Sequence, residues 1–124
     1  MVARQKSSST MEKLSDQALA HVAQYFQALA EPTRLRILNT LRAGEHNVGD
    51  LTALCGCSTA NVSRHLAALA KQGMVVREGR GTSVYYRIAD AAIFELCDLV
   101  CCSIARQFEQ QASIKRSFGS VPRP

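Results

Sequence analysis

Two groups of side chains in this 124-residue sequence have types and spacings that can do chemistry. The first is a run of hydrogen-bonding groups, Ser58, Thr59, Asn61, Ser63, Arg64 and His65, interleaved with apolar Val62, Leu66 and Leu69. The apolar residues recur at helical spacing, so they form an inward stripe and leave a polar face that can meet phosphates or base edges. The second group is Cys97, Cys101 and Cys102. Cys97 and Cys101 are related as i and i+4, which puts both on one helix face within reach of a shared thiophilic ion. Soft thiolates suit As(III), Sb(III), Cd(II) or Zn(II). Cys102 points about 100° away from Cys101. One intact helix therefore strains a three-thiolate site. Either the helix distorts, a second subunit helps, or two cysteines bind. The competing reading is packing, because Cys97 and Cys101 fall on an apolar stripe where cysteine behaves as a small hydrophobe.

The elements that position the polar helix are legible on both sides of it. Leu51, Leu54 and Cys55 lie on one helical face, and Gly56 stands where a helix often ends in a left-handed residue. Ser58 or Thr59 can cap the next helix, and Gly73 closes it. Met74, Val75 and Val76 then form a short apolar run, and Val84 to Ile88 is rich in β-formers. Glu78-Gly79-Arg80-Gly81 between them predicts a hairpin tip, and Arg77, Arg80 and Arg87 make the ribbon basic. Helix, turn, helix and ribbon in that order are the layout of a winged helix-turn-helix, which lays its second helix in the DNA major groove. On that reading Arg64 contacts guanine bidentately or a phosphate, and Asn61, Ser63 and His65 reach base edges or phosphates. Ser58 and Thr59 stand where a helix N-terminus attracts phosphate. Arg77 and Arg80 follow the backbone, with Arg80 near the minor groove.

Further helices flank this unit. Residues 1–13, with Arg4, Lys6 and a Ser-Ser-Ser-Thr run, read as a disordered arm. A first helix is expected from about Ser15 to Ala28, with Leu19, Val22, Ala23 and Phe26 on one side. A second begins at Glu31-Pro32 and stops near Gly44, with Leu35, Ile37, Leu38 and Leu41 as its core. Asn47 caps the third helix, with Asp50 as a capping-box partner. The fifth and last helix is expected after Asp90, ending near Gln110. Its stripe is Ile93, Leu96, Cys97, Val100, Cys101, Ile104 and Phe108. Such a stripe needs a partner surface, which the first helix and a second copy of the chain can supply across a two-fold axis. Residues 111–124 read as a flexible tail, leaving 14–110 as the winged-helix domain with its dimerisation helices.

Three blocks make a family resemblance: ALAEPTRLRILNTL (28–41), NVSRHLAALAKQGMV (61–75) and EGRGTSVYYRI (78–88). Together they resemble the arsenical-resistance (ArsR/SmtB) family of bacterial repressors. The resemblance covers roughly residues 14–108. It implies a homodimeric winged-helix repressor that binds operator DNA and is released by an inducer. A family metal box ELCVCDL would end at Asp50-Leu51, but Asn47 and Gly49 occupy its cysteine positions. The family's zinc site on the last helix needs Asp, His, His and Glu, and here only Asp90 matches, with Ala92, Ser103 and Arg106 elsewhere. Neither site is expected in this chain. Cys55 is expected on a buried face and Cys57 in a turn, so Cys-X-Cys is not read as a metal site.

Composition agrees with this class. The length allows one domain. The formal net charge of +5, from 15 basic and 10 acidic residues, favours an anionic partner. Residues 1–10 lack an apolar core, so no signal peptide is expected, and Glu95 and Asp98 interrupt the apolar run of the last helix, so no membrane span is either. A cytoplasmic protein with reduced thiols follows. An enzyme is not expected, since His21 and His46 are isolated and no nucleophile motif occurs. A structural zinc module lacks paired CxxC sets. No cofactor is expected to be required. Derepression is expected through a thiophilic metal or metalloid, or through thiol oxidation, at the cysteines of the last helix; the alternatives are an inducer-independent regulator with structural cysteines and a thiol- or metal-binding module. The partners expected are an inverted-repeat operator duplex and a second copy of the chain.

Overall fold

The computed structural model describes residues 10–119. Its elements are α1 (Asp16–Leu29), α2 (Pro32–Leu41), β1 (His46–Asn47), α3 (Val48–Cys55), α4 (Thr59–Lys71), β2 (Val75–Arg80), β3 (Ser83–Ile88) and α5 (Ala92–Ser117). The chain divides after Ala89 into a winged-helix unit and a unit containing α5. Residues 10–12 are helical, where an irregular arm was expected. The rest of that arm, and the end of the tail from residue 120 on, lie outside the described residues.

The starts of α1, α2 and α3 have local causes. Ser15 accepts a hydrogen bond from the Ala18 N–H at 3.1 Å, and Asn47 Oδ1 accepts from the Asp50 N–H at 2.7 Å. Pro32 opens α2, where its missing donor leaves nothing unsatisfied, and Glu31 makes no side-chain cap bond there. Asp50 does not complete a mutual capping box with Asn47; its carboxylate lies 3.7 Å from His46 Nδ1. Gly56 ends α3 at φ 66°, a left-handed angle that favours glycine.

The core of the winged-helix unit collects the apolar faces of α2, α3 and α4. Ile37, Leu38, Leu51, Val62, Leu66 and Leu69 are fully buried. Leu35 and Leu54, expected inside, are exposed instead. At about 100° per residue, Leu35 is roughly a third of a turn from the centre of the Ile37–Leu38–Leu41 face, and Leu54 flanks the Leu51–Cys55 face. Beyond α4 the chain forms an antiparallel sheet in the order β1-β3-β2. The β2–β3 register runs from Val75 opposite Ile88 to Arg80 opposite Ser83. The hairpin tip is thus Gly81-Thr82, with Gly81 at φ 62°, while Gly79 sits inside β2. The short third strand β1 pairs His46 with Tyr86 and was not anticipated.

The α5 helix continues past Gln110 to Ser117, correcting the expected flexible tail over 111–117. Nothing in that stretch breaks a helix, since the first glycine is Gly119, and Lys115 and Arg116 complement the carbonyl end of the dipole. Ile93 is buried, but Val100, Ile104, Phe108 and Ile114 are exposed along the helix, as is Phe118 just beyond its end. In the other unit, α1 buries only Ala28, and Leu19 and Phe26 are exposed. Among the described residues no helix is long and apolar enough to cross a membrane.

Candidate nucleic-acid interface

The α4 helix begins at Ser58, whose hydroxyl accepts from the Asn61 N–H at 3.2 Å. That bond satisfies one of the free donors of the first turn and leaves others directed outward, where a phosphate can bind them. Val62, Leu66 and Leu69 anchor the inner face with no exposed surface. Ser58, Thr59, Asn61, Ser63 and Arg64 are all exposed. Arg64 lies almost opposite the centre of the buried stripe at about 100° per residue. Its guanidinium is 3.5 Å from Asn61 Oδ1, so the two candidate base-reading side chains already stand together.

His65 departs from the expected polar face. It is 3% exposed, the one buried polar side chain among the described residues. Its Nδ1 accepts from Arg34 Nε at 3.0 Å, and Glu31 Oε1 lies 3.9 Å from its Nε2. A ring so enclosed does not reach a base edge. Burial, then the nearby Arg64 charge, push the His65 pKa below the ordinary histidine value, against a smaller opposing pull from Glu31. The helical period carried a signal for this placement: His65 is i+3 from Val62 and adjacent to Leu66, on the border of the inward stripe. Its partners Glu31 and Arg34 are distant in sequence and were not identified beforehand.

The wing presents Arg77 and Arg87 as exposed cations. Arg80 stands beside the hairpin tip, as expected, but its charge is already engaged. Its guanidinium forms a bidentate pair with Glu45 at 2.6 and 2.7 Å and meets Glu78 at 3.2 Å. It also stacks 4.7 Å from the Tyr85 ring centroid. The Arg80 hydrogen bonds hold the Glu45 carboxyl below its ordinary range, and both carboxylates raise the Arg80 pKa further. Glu45 is a participant that the sequence reading missed.

On α5, Cys97 is half-buried, while Cys101 and Cys102 are exposed. The helix runs without interruption through all three. Among the described residues, no three His, Cys, Asp or Glu side chains converge on a metal position within one chain. Cys97 and Cys101 retain their common helix face. Cys55 is buried as packing, and Cys57 points its thiol at the Cys55 carbonyl, 3.5 Å away.

Known proteins agree with this architecture. The profile for bacterial regulatory proteins of the arsR family matches residues 31–76. The HTH-type transcriptional regulator NmtR of Mycobacterium tuberculosis is 41% identical over 68% of this chain and 71% of its own. The regulator CmtR of Mycobacterium bovis is 36% identical over 85% of this chain and 87% of its own. A Mycobacterium bovis homodimeric winged helix-turn-helix DNA-binding domain, titled a possible ArsR-family regulator, superposes with a TM-score of 0.66. It shares 35% identity across 74% of this chain and 88% of that one. The buried stripe beneath a polar helix, the antiparallel wing and these relatives lead to one conclusion: the chain belongs to the ArsR family of DNA-binding transcriptional repressors.

Proposed function

We propose that the protein acts as a homodimer that grips an inverted-repeat operator with two copies of α4 and releases it when a thiophilic inducer binds on α5. The observation that carries the DNA reading is the division of α4. Val62, Leu66 and Leu69 hold the helix in the core, while Thr59, Asn61, Ser63 and Arg64 face outward together. Arg64 and Asn61 read base edges, Ser63 assists, and the Ser58–Thr59 end of the helix takes a phosphate. Arg77 runs along the backbone of the wing side, and Arg80 joins it where a phosphate displaces Glu45 or Glu78.

Dimerisation is supported by the apolar residues that a single chain leaves uncovered on α1 and α5, and by the homodimeric state named for the Mycobacterium bovis domain. The inducer reading rests on donor chemistry. Cys97 and Cys101 fit a soft ion such as As(III), Sb(III), Cd(II) or Zn(II), either as a pair or with a third thiolate from Cys102 of a second chain, since the intact helix turns its own Cys102 about 100° away. A repressor of this kind works in the cytoplasm, where its thiols stay reduced.

The test is selection of duplexes from a random pool by the full-length protein, followed by sedimentation of the complex. The expected result is a two-fold symmetric sequence with half-sites about one helical turn apart, bound by two chains. Recovery of asymmetric sequences, or of none above background, overturns the reading.

A further inference from the structure

The buried ring of His65 sits where three helices meet. Arg34, on α2, donates from Nε to His65 Nδ1 at 3.0 Å and from Nη1 to the Ala28 carbonyl near the end of α1 at 3.4 Å. Its Nη2 also lies 3.7 Å from Glu31 Oε2. One guanidinium thus ties the last turn of α1 and the start of α2 to the middle of α4. This joint depends on the state of the imidazole. A guanidinium Nε–H only donates, so Nδ1 has to be an acceptor and the ring proton of neutral His65 resides on Nε2. Arg64 Nη2, 3.4 Å from that Nε2, is then a neighbouring charge and not a donor to the ring.

We infer that His65 is a positioning residue for operator binding: as a neutral acceptor for Arg34 it locks α4 to α1 and α2 and so fixes the face that carries Arg64. The inference rests on the DNA-binding reading above. Protonation of Nδ1 replaces an acceptor with a second donor facing Arg34 and breaks the joint. The charged groups facing the ring are Glu31, just before α2, Arg34 of α2 and Arg64 of α4 itself. Burial and then Arg64 oppose the imidazolium, Glu31 favours it more weakly than either, and Arg34 adds a smaller opposition. The folded-state pKa is lowered, so the unfolded chain takes up the proton first as pH falls. The contribution of neutral His65 is therefore complete above its unfolded value of about 6.5 and is lost as pH falls through the lower folded value.

The two roles open to His65 make opposite predictions. As a phosphate contact it would strengthen DNA binding on protonation. As a positioning residue it weakens binding, by up to about tenfold per pH unit below the folded pKa. The experiment measures affinity of the full-length protein for a duplex selected by the parent, between about pH 8 and pH 5. His65→Asn is the conservative variant, because its carbonyl oxygen can replace Nδ1 as an acceptor without titrating. The expected result is that His65→Asn binds within about threefold of the parent at pH 8 and lacks the parent's acid-side loss. His65→Leu, checked for folding by circular dichroism, loses affinity at every pH. Imidazole nitrogen NMR on the free parent supplies a reading independent of DNA and of any variant. It should show protonated Nε2, unprotonated Nδ1 and a depressed titration. An Nδ1-protonated tautomer, an ordinary titration, or affinity that rises with acid in parent but not in His65→Asn overturns the proposal. If no duplex is selected, the DNA reading fails, and the nitrogen spectrum still decides the Arg34–His65 joint.

Discussion

Arg64 and Arg80 carry the same charge but stand in different situations. Arg64 projects from the exposed centre of α4, its Nη2 3.5 Å from Asn61 Oδ1 and 3.4 Å from His65 Nε2. Arg64→Ala should weaken binding to the selected duplex by about 1–3 kcal/mol and relax discrimination at the contacted base pair, whereas Arg77→Ala should weaken all sequences evenly. Competition binding against single-base variants of the duplex checks both outcomes, and equal losses across sequences for Arg64→Ala would remove it from base reading. Arg80 begins inside a carboxylate cage, so a phosphate that recruits it displaces Glu45. Glu45→Gln should raise affinity severalfold and steepen the log–log salt dependence by up to about one unit, since a cation is freed and an anion removed. An unchanged salt slope would make Arg80 a strut of the wing, held against Tyr85, with no part in backbone contact.

The α4 helix is held by its cap as well as by its core. Ser58 supplies the oxygen that the Asn61 N–H would otherwise lack, and the same first turn is the phosphate-binding end. Ser58→Ala should therefore cost about 1 kcal/mol of stability, read by denaturant unfolding, and should also weaken DNA binding. Ser58→Asp should restore the stability and weaken DNA binding further, because a carboxylate caps the helix but repels phosphate. If Ser58→Asp bound DNA as well as the parent, this turn would not face the backbone. The wing shows a comparable division of labour. Gly81 at φ 62° makes the tight turn, and β1 adds a third strand that brings Glu45 to Arg80.

In the single chain α1 and α5 each leave large apolar side chains uncovered, Leu19 and Phe26 on the one and Val100, Ile104 and Phe108 on the other. Val100 and Ile104 lie on the α5 stripe and are 48% and 45% exposed in the single chain, as two-fold packing of α5 requires. Ile104→Glu should convert the dimer to monomer in sedimentation and reduce operator affinity by far more than any single α4 substitution. A dimer that survives Ile104→Glu would place the interface elsewhere. The thiols are tested on the intact dimer by fluorescence anisotropy with the selected duplex, titrating arsenite, antimonite, cadmium or zinc. One of these should release the parent, and Cys97→Ser/Cys101→Ser/Cys102→Ser should abolish the response. An unchanged response would move the sensor off α5. Because linkage is reciprocal, the ion should bind the free dimer more tightly than the DNA-bound one by the factor through which it weakens DNA binding.

Local sequence was enough for the order of α1 to α5, the cap at Asn47, a cap at Ser58 or Thr59, the glycine stop at Gly56, the buried stripe of α4 and the basic hairpin. All of these depend on neighbours within a few positions, where periodicity and capping chemistry act. Packing between distant segments set the inward turn of His65 to Arg34, the hold of Glu45 on Arg80 and the addition of β1 to the sheet. Each of those joins residues far apart in the chain, and the choice between burying and exposing a side chain on the border of a helical stripe is made by the element packed beside it. The length of α5 differs from the sequence expectation for a local reason: three basic residues and two prolines over 111–124 point to a flexible tail, but both prolines lie beyond Gly119 and nothing before that glycine interrupts a helix.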